Sequence, residues 1–172
     1  MPLSERASED SFKLYLADTG ILVHLMKDLD PSSVALNDPF VNHGAIMENA
    51  VLSDLVKNGY TPYYYAKKNS TLEINFVVGM KGKVALIEVK SGQNKRAKSL
   101  KTMMSERRSD RIGLKVMEGN VLHEDNGIVH LPLYAMSMIE PKKVDNIPPA
   151  TDADEINARF DEYMNHRHET GE

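Results

Sequence analysis

Between Leu72 and Lys90 the chain reads as two strands joined by a tight turn, and this pair constrains how the rest can fold. Successive strand side chains point to opposite faces. Leu72, Ile74, Phe76 and Val78 therefore fall on one face, and Glu73, Asn75 and Val77 on the other. Gly79-Met80-Lys81-Gly82 supplies a hairpin turn. Lys83 to Lys90 then returns antiparallel through the apolar run Val84-Ala85-Leu86-Ile87. At its end Glu88 and Lys90 share one face, with Ile87 and Val89 on the other. A carboxylate and an ammonium thus project together from a buried strand. Burying charge is costly unless it is paired or bound to a metal. The pair is either a structural ion bridge or part of a metal-dependent hydrolytic site. Asn75, four residues before Gly79, decides between them.

The flanking sequence supplies helices for such a sheet. Asn42 is a helix cap, and the spacing predicts a helix from His43 to Asn58 that Gly59 stops. Met47, Val51, Leu55, Leu52 and Val56 form its apolar face, and Glu48 lies inside that face, where the helical period calls for an apolar residue. Phe12 to Asp18 alternates like a strand, and Ile21 to Met26 reads as a short helix. Asp28 to Pro39 reads as a loop. Tyr60 to Ala66 is a strand with Tyr64 in the core, Ala97 to Arg108 a helix, and Arg111 to Glu118 a further strand. Val121 to Glu124 and Ile128 to Leu131 form a hairpin around Asn126-Gly127, and Leu131-Pro132-Leu133-Tyr134 leads into a turn or short helix. Residues 1–10 are a polar N-terminal segment, 11–140 the domain, and 141–172 a Pro-containing linker and acidic tail with an amphipathic stretch at Asp152 to Met164. The expected architecture is α/β, a mixed sheet flanked by helices.

Charge is unevenly spread. The net charge of −4 argues against general nucleic-acid affinity, yet residues 151–172 hold seven acids and two bases, a net of −5. Lys90 to Arg111 holds eight bases and two acids, a net of +6. A basic strip directly after the Glu88/Lys90 strand suits a phosphate backbone. The competing reading is a solvated helix face. The chain has no Cys, which excludes disulfides, thiolate metal sites and a cysteine nucleophile and fits a cytoplasmic location. No apolar run approaches the ~18 residues of a membrane span, and the first ten residues are unlike a signal peptide.

The hairpin gathers Asn75, Glu88 and Lys90 at one end of the sheet, where Glu48 on a covering helix can join them. Leu72-Glu73-Ile74-Asn75-Phe76-Val77-Val78 followed by Ile87-Glu88-Val89-Lys90-Ser91-Gly92 resembles the PD-(D/E)xK nuclease motif. More closely, the chain resembles the C-terminal domain of unknown function carried by a group of prokaryotic AAA-type ATPases. Phe12 to Gly20, Gly44 to Asn49, Lys98-Ser99-Leu100 and Leu131 to Tyr134 carry that likeness over about residues 11–140. The resemblance implies a restriction-endonuclease-like fold, with Glu48, position 75, Glu88 and Lys90 at its active-site positions. In such a site carboxylates hold Mg²⁺, the metal acidifies a water and polarises the phosphate, and the Lys stabilises developing charge.

Two departures shape the expectation. Asn75 stands where the motif has Asp and offers only a neutral oxygen. Glu73, about 6–7 Å away on the same strand face, replaces it as a metal ligand only if its side chain swings inward. No Gly-x-x-x-x-Gly-Lys-Ser/Thr loop occurs, and Gly79-Met80-Lys81-Gly82-Lys83 has the wrong spacing, so the ATPase motor is absent from this sequence. The leading reading is a nuclease-fold accessory domain with a weakened Mg²⁺ site that contacts DNA through Lys95, Arg96, Lys98 and Lys101. Two alternatives stay open: an active Mg²⁺-dependent DNA endonuclease using Glu48, Glu88 and Lys90, and a protein-interaction domain that never touches nucleic acid. His166-x-His168 lacks further metal partners, and His24, His43, His123 and His130 read as scattered surface or satisfied residues.

Overall fold

Among the described residues six strands form one sheet: Tyr63–Ala66 (β1), Glu73–Met80 (β2), Lys83–Lys90 (β3), Arg111–Met117 (β4), His123–Asp125 (β5) and Ile128–Pro132 (β6). The order is β1-β2-β3-β4-β6-β5. β1, β2 and β3 run antiparallel, β4 pairs parallel to β3, β6 parallel to β4, and β5 returns antiparallel to β6. The helices are Thr19–Leu25 (α1), Pro31–Ala35 (α2), His43–Lys57 (α3) and Lys98–Glu106 (α4). This is a mixed α/β fold. The computed structural model describes residues 3–8, 11–26, 31–36, 38, 41–92, 96–106, 108–120 and 122–140. The linker, the acidic tail and the stretch Asp152 to Met164 lie outside the described residues, as do residues 28–30 of the expected loop.

Two turns fix the hairpins. Met80 pairs with Lys83, leaving Lys81 (φ 51°) and Gly82 (φ 71°) as the loop. Asp125 pairs with Ile128 around Asn126 (φ 53°) and Gly127 (φ 76°). Positive φ at both loop residues is the type I′ geometry, whose twist matches that of paired strands. The first loop is shorter than the four residues expected, because Gly79 and Met80 belong to β2.

Helices cover both faces. Met47, Val51 and Leu55 of α3 pack on Phe76, Val78, Ile87 and Val89. Leu100 and Met104 of α4 pack on Ile74, Val77, Leu86 and Ile128. Sheets covered on both sides give near-continuous buried strands, and β2 and β3 each show five consecutive buried residues. At Gly113 an added Cβ would come within 3.1 Å of Met104 and Ile128, so this glycine lets α4 seat closely. Asn42 caps α3 as expected, its Oδ1 accepting the Ala45 N–H at 3.1 Å. Val56 is a correction: it is 54% exposed, outside the apolar stripe. Elsewhere the limits shift. β1 begins at Tyr63, α4 spans Lys98–Glu106, and the short helix α2 occupies part of the expected loop. Tyr60, placed in the strand by sequence, is buried beside it and donates its hydroxyl to the Glu140 carbonyl at 2.7 Å. Among the described residues no helix is long and apolar enough to cross a membrane.

The expected strand Phe12 to Asp18 does not form. Residues 11–16 have no strand pairing, and Asn49 of α3 takes the place of a neighbouring strand. The Leu16 N–H donates to Asn49 Oδ1 at 2.9 Å, and Asn49 Nδ2 donates to the Leu16 carbonyl and to Thr19 Oγ1, both at 3.1 Å. The alternation survives without the strand pairing. Phe12 is 81% and Leu14 86% exposed, while Ser11, Lys13 and Tyr15 reach polar partners on the domain. Tyr64 is likewise half-buried under this segment rather than in the core, its hydroxyl bonded to Ser11. Replacing Asn49 by Ala leaves the half-buried Leu16 N–H and carbonyl without their partner, and an unsatisfied group costs about 1–3 kcal/mol when buried. Asn49→Ala should lose about 2–4 kcal/mol in urea unfolding; a loss below about 0.5 kcal/mol would show that the segment does not depend on this side chain.

Candidate functional site

The site begins at an irregularity in β2. Tyr63 pairs with Val77 and Tyr65 with Ile74, so two steps along β1 match three along β2. β2 therefore carries one extra residue, a bulge. It changes the faces read from sequence: Ile74 packs with Val77 on the α4 side, apart from Phe76 and Val78 on the α3 side. Asn75 turns to the α3 side too. Its Nδ2 donates to Glu48 Oε1 at 2.8 Å, and its Oδ1 accepts the Val89 N–H at 2.8 Å. The regular β2–β3 register ends at Phe76↔Ile87, and beyond it this side chain joins the two strands. The partners fix the amide's orientation, since oxygen must face the N–H and nitrogen the carboxylate.

Glu48 is half-buried on α3, and its second oxygen accepts the Tyr15 hydroxyl at 3.1 Å. Burial raises the Tyr15 phenol far above its ordinary range, and the charge and hydrogen bond of Glu48 push it further. The Tyr15 ring also packs against Phe76, centroids 5.7 Å apart. Glu73 pairs with Lys13, whose ammonium lies 5.3 Å from the Tyr64 ring centroid. Lys13, Tyr15 and Asn49 were not singled out by sequence. The one signal for Lys13 and Tyr15 was the period-two alternation, read as a strand; Asn49 on the helix had none.

Glu88 and Lys90 form an ion pair at 2.6 Å, with the Glu88 side chain 8% and the Lys90 side chain 31% exposed. Burial raises the Glu88 carboxyl above its ordinary value. Lys90 opposes that shift, and the nearby charges of Glu48 and Glu73 add to it. The pair opens on a cavity of about 380 Å³ lined also by Thr71, Arg96, Lys98 and Ser99. The basic strip and the Glu-x-Lys strand therefore meet in one place. Lys101 is exposed on α4, and Lys95 lies outside the described residues.

The predicted residues thus assemble as two pairs. Glu48 and Asn75 are bonded on the α3 side, Glu88 and Lys90 on the α4 side, and the Val89 backbone between Glu88 and Lys90 joins them. Each acid is already engaged: Glu48 with Tyr15 and Asn75, Glu73 with Lys13, Glu88 with Lys90. Mg²⁺ sheds its waters only for strong, correctly placed oxygen ligands. Among the described residues no three acidic or histidine side chains converge to hold a metal. As arranged, the donors do not fit the cation that the resemblance implies.

A carboxyl whose folded-state value lies above its ordinary 4.5 binds its proton more tightly in the folded chain than in the unfolded one. Stability is then lost as pH rises through that window. Glutamine does not titrate, so the melting temperature of Glu88→Gln relative to the native chain should climb from about pH 4 to about pH 7. A flat or falling difference would mean that the site does not disfavour the Glu88 charge.

No curated protein and no solved structure matches the chain. A family model does: Domain of unknown function (DUF4143), over residues 43–136, from the first residue of α3 to within the 3₁₀ helix Leu133–Met138. The matched region is more than half of the chain and contains Glu48, Asn75, Glu88, Lys90 and all six strands. The chain belongs to the DUF4143 family of domains of unknown function.

Proposed function

We propose that this domain is a nuclease-fold accessory module of an AAA-type ATPase, contacting DNA through Arg96, Lys98 and Lys101 with its hydrolytic site disabled. The observation that carries the reading is the Asn75 amide, held between Glu48 Oε1 and the Val89 N–H. A metal ligand at this position would present a free charged oxygen. Asn75 instead uses its nitrogen to satisfy the neighbouring carboxylate and its oxygen to hold β3. The Glu88–Lys90 pair, left in a cavity rimmed by Arg96 and Lys98, then serves as a binding surface. Lys90 and the α4 bases attract phosphate, and Glu88 limits how deeply an anion enters. The ATPase partner and the restriction-endonuclease-like fold rest on the resemblance of residues 11–140.

The metal arm has a direct test. Asp at position 75 sets a second carboxylate against Glu48 and removes the donor. Without divalent ions Asn75→Asp should lose about 1–3 kcal/mol of stability. Mg²⁺ or Mn²⁺ should restore about 1.4 kcal/mol at about ten times the dissociation constant, while the native chain's melting temperature stays unchanged. A melting temperature that rises with Mg²⁺ in the native chain, together with cleavage of duplex DNA lost in Lys90→Ala, would establish the active endonuclease instead.

The DNA arm is read from salt dependence. The native chain should bind short duplex DNA with an affinity that falls steeply with salt, and Lys98→Ala and Lys101→Ala should each reduce the log–log slope by about 1. Absence of binding at low salt would point to the protein-interaction reading.

A further inference from the structure

The strand register places ionisable residues in one line across the sheet. Glu88 on β3 pairs with Lys115 on β4, Lys115 with His130 on β6, and His130 with His123 on edge strand β5. Directly paired residues project from the same face. The neighbouring row, Leu86, Gly113 and Ile128, is the apolar row beneath α4. Lys115, His130 and His123 therefore continue the row of Glu88 across the α4 side of the sheet to its edge. We infer that His130 and His123 form a proton-gated extension of the DNA-contacting surface, taking backbone phosphates only when the imidazoles are charged.

Three observations support this. Lys115 is 4% exposed on a central strand, a position for which strand patterning favours an apolar residue, and it brings positive charge to the middle of the row. The two imidazole rings lie with centroids 4.2 Å apart and are tilted by 34°, so one anion can touch both. Burial lowers the His130 value, and Lys115, His123 and Lys101 lower it further, while Asp125 opposes them. The groups facing His130 are thus Lys115 on β4, His123 and Asp125 on β5, and Lys101 on α4. In the free protein this balance disfavours the charged form of His130. A phosphate between the α4 lysines and the row favours the charged form, so binding draws in protons.

The inference rests on the DNA-contacting reading, and the test separates the two. Binding of a short duplex DNA is followed by fluorescence anisotropy across a salt series, at about pH 8 and about pH 6. Protonating one or two imidazoles adds one or two phosphate contacts, so the native chain's log–log slope should steepen by about 1–2 at the lower pH. His123→Gln/His130→Gln should show the same slope at both pH values, and the single exposed-edge variant His123→Gln should lose part of the gain. Lys101→Ala should lower the slope at both. General loss of acidic charge would strengthen binding in native and double-variant chains alike, so a gain that persists in the double variant overturns the inference. A native slope independent of pH, with Lys98 and Lys101 still required, overturns the row alone. No binding at either pH overturns the row together with the DNA-contacting reading.

Discussion

The Asn75 amide ties three elements at one point: α3 through Glu48, β2 through its own backbone, and β3 through Val89. This is possible because β2 bulges there. In a regular strand Asn75 and Phe76 would point to opposite faces. The extra residue lets both meet the α3 side, Phe76 in the apolar core and Asn75 at its polar rim. The bulge also ends the regular register of β2 with β3. A side chain then joins the strands, beside the two residues that carry the ion pair. Bulges commonly re-aim side chains next to functional sites, and here the re-aimed side chain is the one whose identity decides the chemistry.

The identity of residue 75 and the charge balance around it are one problem. Three acids lie near the end of the sheet without converging on one point, and each has its own internal donor: Tyr15 and Asn75 for Glu48, Lys13 for Glu73, Lys90 for Glu88. Burial is the main cause of the upward shift of Glu88, and the nearby charges of Glu48 and Glu73 add to it against the pull of Lys90. A fourth carboxylate at position 75 would need a cation to balance it. A neutral amide needs none, and its two ends match an acceptor and a donor that are already in place. The segment 11–15 has the same logic. It crosses the site with Lys13 and Tyr15 turned inward, so the N-terminal strip helps to neutralise the acids rather than extending the sheet.

Much of this was legible in the sequence. The hairpin, α3 with its Asn42 cap and the misplaced Glu48 follow from short-range rules: alternation, helical period and caps. The Glu88–Lys90 pair followed from alternation alone. What was missed depends on partners distant in sequence. Residues 12–18 were read as a strand from their alternation, whereas Asn49, 33 residues from Leu16, holds the segment by bonding to its backbone. The bulge at Asn75 was invisible because nothing in Leu72 to Val78 breaks alternation; it is a property of pairing with β1. Tyr64 was assigned to the core for the same reason, and it lies instead beneath a segment some 50 residues upstream.

The histidines show this limit most clearly. Read along the chain, His123 and His130 are two scattered residues on either side of a turn, and Lys115 is a polar interruption in a strand. Only the register β3–β4–β6–β5 turns them into a line that starts at Glu88. That line changes how the chain's charge should be understood. The whole chain carries −4 and the basic strip +6, which leaves a nucleic-acid surface in doubt if charge is only counted. Distributed in space, the exposed bases of α4 lie on the same side of the sheet as the buried Lys115 and the two imidazoles, while the acids of the site have internal donors. A local field is set by how charges are distributed over a face rather than by their sum, and the exposed Lys98 and Lys101 lie on the α4 face.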